Sequence, residues 1–155
     1  MSLVRCFSCG LLVVAVAGCS SSPRPVEVHT VSGRIVYDSK PAAGVQVFLF
    51  PMSAPTVPQI PSNPRGVTGD DGRFHISTYQ EGDGAPEGTY RVVLYWPGKA
   101  EPGEEWDSDR LMGWYDAAHT KFEVEIRAGD NSLPTFSLPA VSSPPPPSQG
   151  VPGRN

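Results

Sequence analysis

The chain has 155 residues and a formal net charge of −4 at pH 7, and it contains 18 prolines and 16 glycines. This mild acidity argues against a nucleic-acid-binding protein, because such proteins present a basic patch to the phosphate backbone. The length suits one domain with its own hydrophobic core. The prolines and glycines, many of them in tails and turns, favour an all-β domain over a helical one.

The first 18 residues have the pattern of a processing signal. Arg5 precedes an apolar run at residues 7–17 that is about eleven residues long. A segment that spans a bilayer needs about 20 residues, so this run suits a signal peptide better than a membrane helix. The run ends in the small residues Ala17 and Gly18, and Cys19 follows directly. A plain secretory signal with a coincidental cysteine is the alternative.

The tetrapeptide Val-Ala-Gly-Cys that ends at Cys19 resembles the lipobox of bacterial lipoproteins. The resemblance implies cleavage after Gly18 and two or three acyl chains at Cys19, enough for stable membrane attachment where one chain binds only marginally. We therefore expect a cell-envelope protein, and Ser20, in place of Asp, favours the outer membrane over the inner one. Cys6 and Cys9 lie in the segment to be removed, so no disulfide or redox site is expected in the mature chain.

Composition divides the rest of the chain into three regions. Residues 19–26 form a Ser/Pro tether, residues 27–138 carry alternating apolar segments, and residues 139–155 are rich in proline, serine and glycine. Such a composition cannot bury enough apolar surface to fold, so the last region is predicted to be a disordered tail. Its four consecutive prolines can form a short polyproline II spacer; a ligand for a proline-binding module is the alternative.

Apolar and polar residues alternate with period two through most of residues 27–138, which predicts short, half-buried strands. The predicted strands cover residues 28–37, 45–50, 66–68, 73–78, 90–96, 121–127 and 135–138. No segment shows a convincing helical period. About seven short strands separated by turn residues predict a β-sandwich.

Turn chemistry fits between these strands. Residues 38–41 predict a turn between the first two strands. Residues 69–72 predict a type I turn with Gly72 in the left-handed region, closing a hairpin between residues 66–68 and 73–78. Gly33, inside the first strand, is expected to allow a bulge or a close approach of another group.

Three motifs occur in order along residues 28–138. They are VSGRIVY with KPAAGVQV at residues 31–47, TGDDGRF at residues 68–74, and PEGTYRV at residues 86–92. Together they resemble the carboxypeptidase regulatory-like, or transthyretin-like, domains. The resemblance implies a seven-stranded Greek-key β-sandwich of the transthyretin (prealbumin) kind, often on lipid-anchored or secreted bacterial proteins. It implies no single activity, since many members are accessory or binding modules.

The least regular part of the domain is residues 97–120, where acidic and aromatic residues concentrate. A long loop of this composition can form a ligand surface, because aromatic rings stack on sugars while carboxylates accept hydrogen bonds from hydroxyl groups. The candidate ligand surface consists of Trp106, Asp109, Trp114 and Tyr115. The favoured interpretation is structural, with Leu111, Trp114 and Tyr115 folding back to cap an open edge of the sandwich, and the ligand surface is the alternative.

The residue pattern contains no catalytic motif, and His29, His75 and His119 have no metal-ligand spacing. We therefore predict no catalytic residues, no metal and no cofactor. Some enzymes with a related sandwich bind iron through tyrosines and histidines, and His75, Tyr79 and Tyr95 stay open as such a set. The favoured function is a non-enzymatic, lipid-anchored module for a protein or glycan partner. The alternative is a small hydrolase or metal-dependent enzyme that uses residues 97–120.

Overall fold

The computed structural model of the chain describes residues 26–52, 63–98 and 108–147. These residues form eight strands: β1 (Val31–Tyr37), β2 (Lys40–Pro41), β3 (Gln46–Pro51), β4 (Arg65–Val67), β5 (Arg73–His75), β6 (Gly88–Tyr95), β7 (Glu123–Ile126) and β8 (Asn131–Leu138). In this described part of the chain, no helix has the length and apolar character needed to cross a membrane.

The strands form two sheets of four strands that pack face to face. In the first sheet, β8 pairs with β1 in parallel, while β2 and β5 pair with β1 antiparallel. The second sheet has the order β4-β3-β6-β7, and all of its pairs are antiparallel. The predicted all-β sandwich is therefore confirmed.

The core follows the predicted alternation, because successive side chains of a strand point to opposite faces of a sheet. The second sheet contributes the buried residues Val47, Leu49, Tyr90, Val92, Leu94, Val124 and Ile126. The first sheet contributes Val31, Ile35, Phe74, Phe136 and Leu138. Burying a side chain of this size contributes about 1.5–3 kcal/mol, so this shared core supplies the main stabilisation of the domain.

The turn after β1 is tighter than predicted. Asp38 and Ser39 have φ angles of 48° and 64°, and two consecutive positive values are characteristic of a two-residue type I′ hairpin turn. Lys40 and Pro41 then pair with Tyr37 and Val36 as strand β2. The prediction that residues 38–41 form the whole turn was therefore wrong, and the described residues contain eight strands where the sequence predicted about seven.

The turn at residues 69–72 forms as predicted, with Gly72 at a φ angle of 76°. A Cβ atom at Gly72 would lie 2.3 Å from the backbone oxygen of Ile35, so glycine is required by space as well as by conformation. The predicted hairpin forms only in part, because its two arms pair with each other at a single antiparallel bridge between Arg65 and Ser77. Strand β4 pairs with β3 and strand β5 pairs with β1, so this turn connects the two sheets.

Gly33 has the predicted role in β1. A Cβ atom there would lie 2.5 Å from the ring of Phe74. The ladder between β1 and β8 also shifts register between Ser32 and Arg34. A larger side chain at position 33 would displace the Phe74 ring from the centre of the core.

The two ends of the sandwich are occupied by different segments. At the end where β1 begins, the Val26 amide donates a hydrogen bond to the Tyr79 hydroxyl at 3.0 Å. At the opposite end, Tyr37 packs edge-on against Trp96 with ring centroids 5.2 Å apart. The N-terminal segment therefore leaves the domain at the end opposite the Tyr37–Trp96 pair.

The chain after β8 follows the surface at the Tyr37 end. The Val141 amide donates to the Tyr37 hydroxyl at 3.0 Å, and the Trp114 indole N–H donates to the Ser143 carbonyl at 2.7 Å. Composition alone did not indicate these two contacts within the predicted tail. Residues 148–155, like Gly18, Cys19 and most of the tether, lie outside the described residues.

Candidate functional site

The predicted ligand surface falls largely within residues 108–120, which cover the Tyr37 end of the sandwich and are termed the cap. Leu111 is fully buried. The Tyr115 ring stacks on Phe122 with centroids 5.5 Å apart, and the Tyr115 carbonyl accepts a hydrogen bond from the Leu94 amide at 2.9 Å. The cap therefore extends the packing of the core beside β6. Trp106, the fourth predicted surface residue, lies outside the described residues.

Asp109 organises the beginning of the cap. Its Oδ1 atom accepts hydrogen bonds from the amides of Trp96 and Leu111 at 3.1 and 3.0 Å. Its Oδ2 atom accepts one from the Gly113 amide at 2.9 Å. Backbone amides bind a carboxylate strongly in this arrangement, so Asp109 holds the chain in place with both of its oxygen atoms.

The aromatic groups at this end also have partners within the chain. Trp114 is 37% exposed, and its N–H group is bound to Ser143. The Arg110 guanidinium lies 3.6 Å from the centre of the Trp96 ring, and the Trp96 indole donates to the Ala43 carbonyl at 2.9 Å. The geometry of the described cap residues thus favours the structural interpretation over a ligand surface.

The cap contains one carboxylate–imidazole pair. Asp116 Oδ1 lies 2.8 Å from His119 Nδ1. Burial opposes ionisation of Asp116, but hydrogen bonds from His119 and the Ala118 amide outweigh it and lower the pKa of the carboxyl. The carboxylate can only accept, so Nδ1 carries the proton. Nε2 is buried with no partner among the described residues, and a general base must reach its substrate. The pair therefore orients the loop.

The described ranges contain no group of three or more His, Cys, Asp or Glu side chains arranged to hold a metal ion. The tyrosines and histidine of the possible iron site, His75, Tyr79 and Tyr95, do not lie together. His75 lies on the outer face of the first sheet, and Tyr95 lies on the outer face of the second. The Tyr79 hydroxyl binds the Val26 amide.

A surface that the sequence did not indicate lies along the edge where β4 and β5 approach each other. Two backbone hydrogen bonds between Arg65 and Ser77, at 3.0 and 2.8 Å, link the two sheets there. One depression of about 770 Å³ lies along this edge, and a second of about 250 Å³ crosses the outer face of β1. They meet at Arg73 and His75. The two depressions together are termed the β5 groove.

Cationic and hydroxyl groups dominate the polar lining of the β5 groove. The larger depression is lined by Gln46, Phe48, Arg65, Val67, Arg73, His75, Ser77 and Glu81, among others. The smaller one is lined by Ser32, Arg34, Arg73, His75, Ser132, Leu133 and Thr135, among others. The groove is therefore locally basic although the whole chain is acidic.

Asp71 positions the two central arginines of this groove. Arg34 and Arg73 lie directly opposite each other on β1 and β5, a placement in which like charges repel. Arg34 Nε donates to the Asp71 backbone carbonyl at 3.1 Å, and Arg73 Nε lies 3.4 Å from the Asp71 carboxylate. Among the described residues, the terminal nitrogens of both guanidinium groups form no hydrogen bond.

Comparisons with known proteins assign no function. No protein-family model matches the chain, and no curated protein matches it. Similar solved structures include DUF3823 family proteins from Bacteroides ovatus, at 15% identity and a TM-score of 0.39, and from Parabacteroides merdae, at 14% and 0.38. The alignments cover 72% and 73% of this chain but only 43% and 46% of those proteins. The dioxygenase domain of a fusion protein from Streptomyces sp. SirexAA-E has 19% identity and a TM-score of 0.38, with 79% of this chain and 85% of that chain covered.

Proposed function

We propose that the chain is a non-enzymatic, lipid-anchored β-sandwich of the cell envelope, of the transthyretin-like kind. It acts as a structural or binding module for a protein or glycan partner. The observation that best supports a binding role is the β5 groove, a formed depression in which Arg34 and Arg73 are oriented by Asp71. The acidic cap offers less, because Asp109 is bound to the backbone of the chain itself.

The position of the N-terminal segment supports a tethered arrangement. The chain leaves the sandwich near Val26 and Tyr79, at the end opposite the cap. A lipid on Cys19 would hold this end near the membrane through the short tether of residues 19–26. The cap would then face away from the membrane, and the outer membrane is the favoured location.

Palmitate labelling of the full chain in a bacterial host tests the anchor. The wild-type chain should take up label and Cys19→Ala should take up none, because the thiol is the acceptor. Cys9→Ala is the matched control and should label like the wild type, since position 9 lies in the segment to be removed. Label on Cys19→Ala would contradict the proposed anchor.

Crosslinking in intact envelopes, combined with a glycan-binding screen, tests the binding role. A protein or glycan recovered through the wild-type chain would support it. An empty result from both would contradict it.

Metal analysis of the purified chain tests the non-enzymatic assignment, because a stoichiometric ion would favour the metal-dependent alternative.

A further inference from the structure

We propose that the β5 groove binds an acidic polysaccharide, a glycan whose sugars carry carboxylate or phosphate groups. This inference rests on the proposed binding function and specifies the class of ligand.

The arginine pair carries more positive charge than its acidic neighbour balances. Arg34 and Arg73 face each other across neighbouring strands, and the one carboxylate beside them, that of Asp71, is paired with Arg73. Asp71 binds both through Nε, which leaves the terminal nitrogens directed elsewhere. An anionic group between the two guanidinium groups relieves their repulsion and accepts paired hydrogen bonds, the geometry in which arginine binds carboxylates and phosphates best.

Positive charge is spread along the groove. Arg65 lines the larger depression, beside the acidic Glu81, and Arg34 lines the smaller one, while Arg73 belongs to both. Within the described residues, the Arg65 side chain forms no ion pair. Cationic groups on both sides of β5 match the repeated charges of a polymer better than one small anion.

Hydroxyl and amide groups supply much of the remaining polar lining of the groove. Ser32, Ser132 and Thr135 supply hydroxyl groups in the smaller depression, and Ser77 and Gln46 supply polar groups in the larger one. These groups donate and accept hydrogen bonds, as sugar hydroxyls require. A glycan carries many more hydroxyl groups than a polypeptide, so this set of hydroxyl and amide groups favours a glycan over a protein.

Binding of the purified full chain to four polymers tests this proposal. The acidic polysaccharides are polygalacturonate, with carboxylates, and a phosphomannan, with phosphates. Dextran is the neutral polysaccharide, and polyglutamate is the acidic polypeptide. We expect one or both acidic polysaccharides to bind, with weaker binding at higher salt. Dextran and polyglutamate should bind at least tenfold more weakly.

A pair of charge-matched double variants localises the binding. Arg34→Gln/Arg73→Gln should lower the affinity for the bound polysaccharide at least tenfold. Lys121→Gln/Arg127→Gln removes the same charge near β7, outside the groove, and should change the affinity less than twofold. Arg73, Lys121 and Arg127 are exposed and Arg34 is half-buried on the outer face of β1, so neither double variant should change the circular dichroism spectrum of the fold.

Three results would overturn the proposal: equal losses in the two double variants, equal binding of polyglutamate, or no binding of either acidic polysaccharide. Crosslinking separates this failure from failure of the proposed function. If a partner is still recovered through Arg34→Gln/Arg73→Gln, the binding role stands and the groove assignment is wrong. If the wild-type chain recovers no partner and no glycan, the proposed function itself fails.

Discussion

The cap and the β5 groove both carry charged and aromatic side chains, but they use them in opposite ways. In the cap, Asp109 and Trp114 direct their polar atoms at the backbone of the chain. In the groove, Asp71 fixes Arg34 and Arg73 through Nε and leaves their terminal nitrogens available. The difference shows that a conspicuous cluster in a sequence becomes a candidate site only after the partners of each polar atom have been identified.

The largest expected effect is the loss of cap structure in Asp109→Ala. Removing the carboxylate deprives three backbone amides of their acceptor, which should lower the free energy of unfolding by about 2–4 kcal/mol. Urea denaturation measures this change. Asp70→Ala is the control, since the Asp70 side chain has no partner among the described residues, and it should stay within about 0.5 kcal/mol. Equal stability of the two variants would show that the cap does not depend on Asp109.

Thr68→Val tests two buried hydrogen bonds that join residue 68 to residues 42–45. The buried Thr68 hydroxyl accepts from the Val45 amide at 2.8 Å and donates to the Ala42 carbonyl at 2.6 Å. Leaving both buried groups unpaired should cost about 1–3 kcal/mol of unfolding free energy. Thr68→Ser keeps the hydroxyl and should retain most of the stability. If Thr68→Val unfolds at the same urea concentration as the wild type, these two hydrogen bonds do not contribute to the stability of the domain.

Acid should modestly weaken the cap, which contains Asp116, and the segment of residues 78–83, where Asp83 accepts backbone hydrogen bonds. Burial opposes ionisation of Asp83 and Asp116, but hydrogen bonds outweigh it and lower the pKa of each below the ordinary value of 3.8. A lowered folded-state pKa means that the stabilisation is present above about pH 4 and is lost as pH falls through the folded-state value. Because both groups are partly exposed to solvent, we expect less than about 1 kcal/mol from each.

Unfolding measured between pH 5 and pH 2 tests this expectation. Asp83→Asn and Asp116→Asn should each flatten the loss of stability on acidification, whereas Asp70→Asn should not. An unchanged slope in both variants would show that these two carboxyl groups do not contribute to the acid sensitivity.

The smallest expected effect concerns the segment after β8. Trp114→Phe removes one exposed hydrogen bond to Ser143, so the global stability should fall by no more than about 1 kcal/mol. Hydrogen exchange at the nearby Val141 amide should become faster. Tyr79→Phe, at the other end, should leave Val141 exchange unchanged while it speeds exchange at Val26. Unchanged exchange at Val141 in Trp114→Phe would show that Trp114 does not hold this segment.

The alternation of apolar and polar residues predicted the strands well, because apolar residues occupy the face of a strand that is buried. Trp96 and Leu94 point inward as expected. The tight turn at Asp38 and Ser39 was missed because neither residue is glycine or asparagine, the usual signals of two consecutive positive φ angles. The pairing of β4 with β5 was overpredicted because a turn motif does not specify whether its two strands join the same sheet.

The candidate site was less predictable than the fold for a similar reason. Alternation places Arg34, Arg73 and His75 on outer faces, but only the pairing of β1 with β5 brings Arg34 next to Arg73. The cap carried a stronger sequence signal, since Asp109 and Tyr115 stand in a compact acidic and aromatic segment. However, Asp109 and Tyr115 already have partners within the chain, in backbone amides and in the Phe122 ring.

The claim that the groove and not the cap is the binding surface is tested most directly by amide chemical shifts of the ¹⁵N-labelled full chain. The chain is titrated with an oligosaccharide of whichever acidic polysaccharide binds, either an oligogalacturonate or a phosphomannan fragment. We expect shifts concentrated at residues 32–34 and 73–75, with the amides of residues 109–116 unchanged. Shifts concentrated at residues 109–116, or no shifts with either oligosaccharide, would contradict the claim.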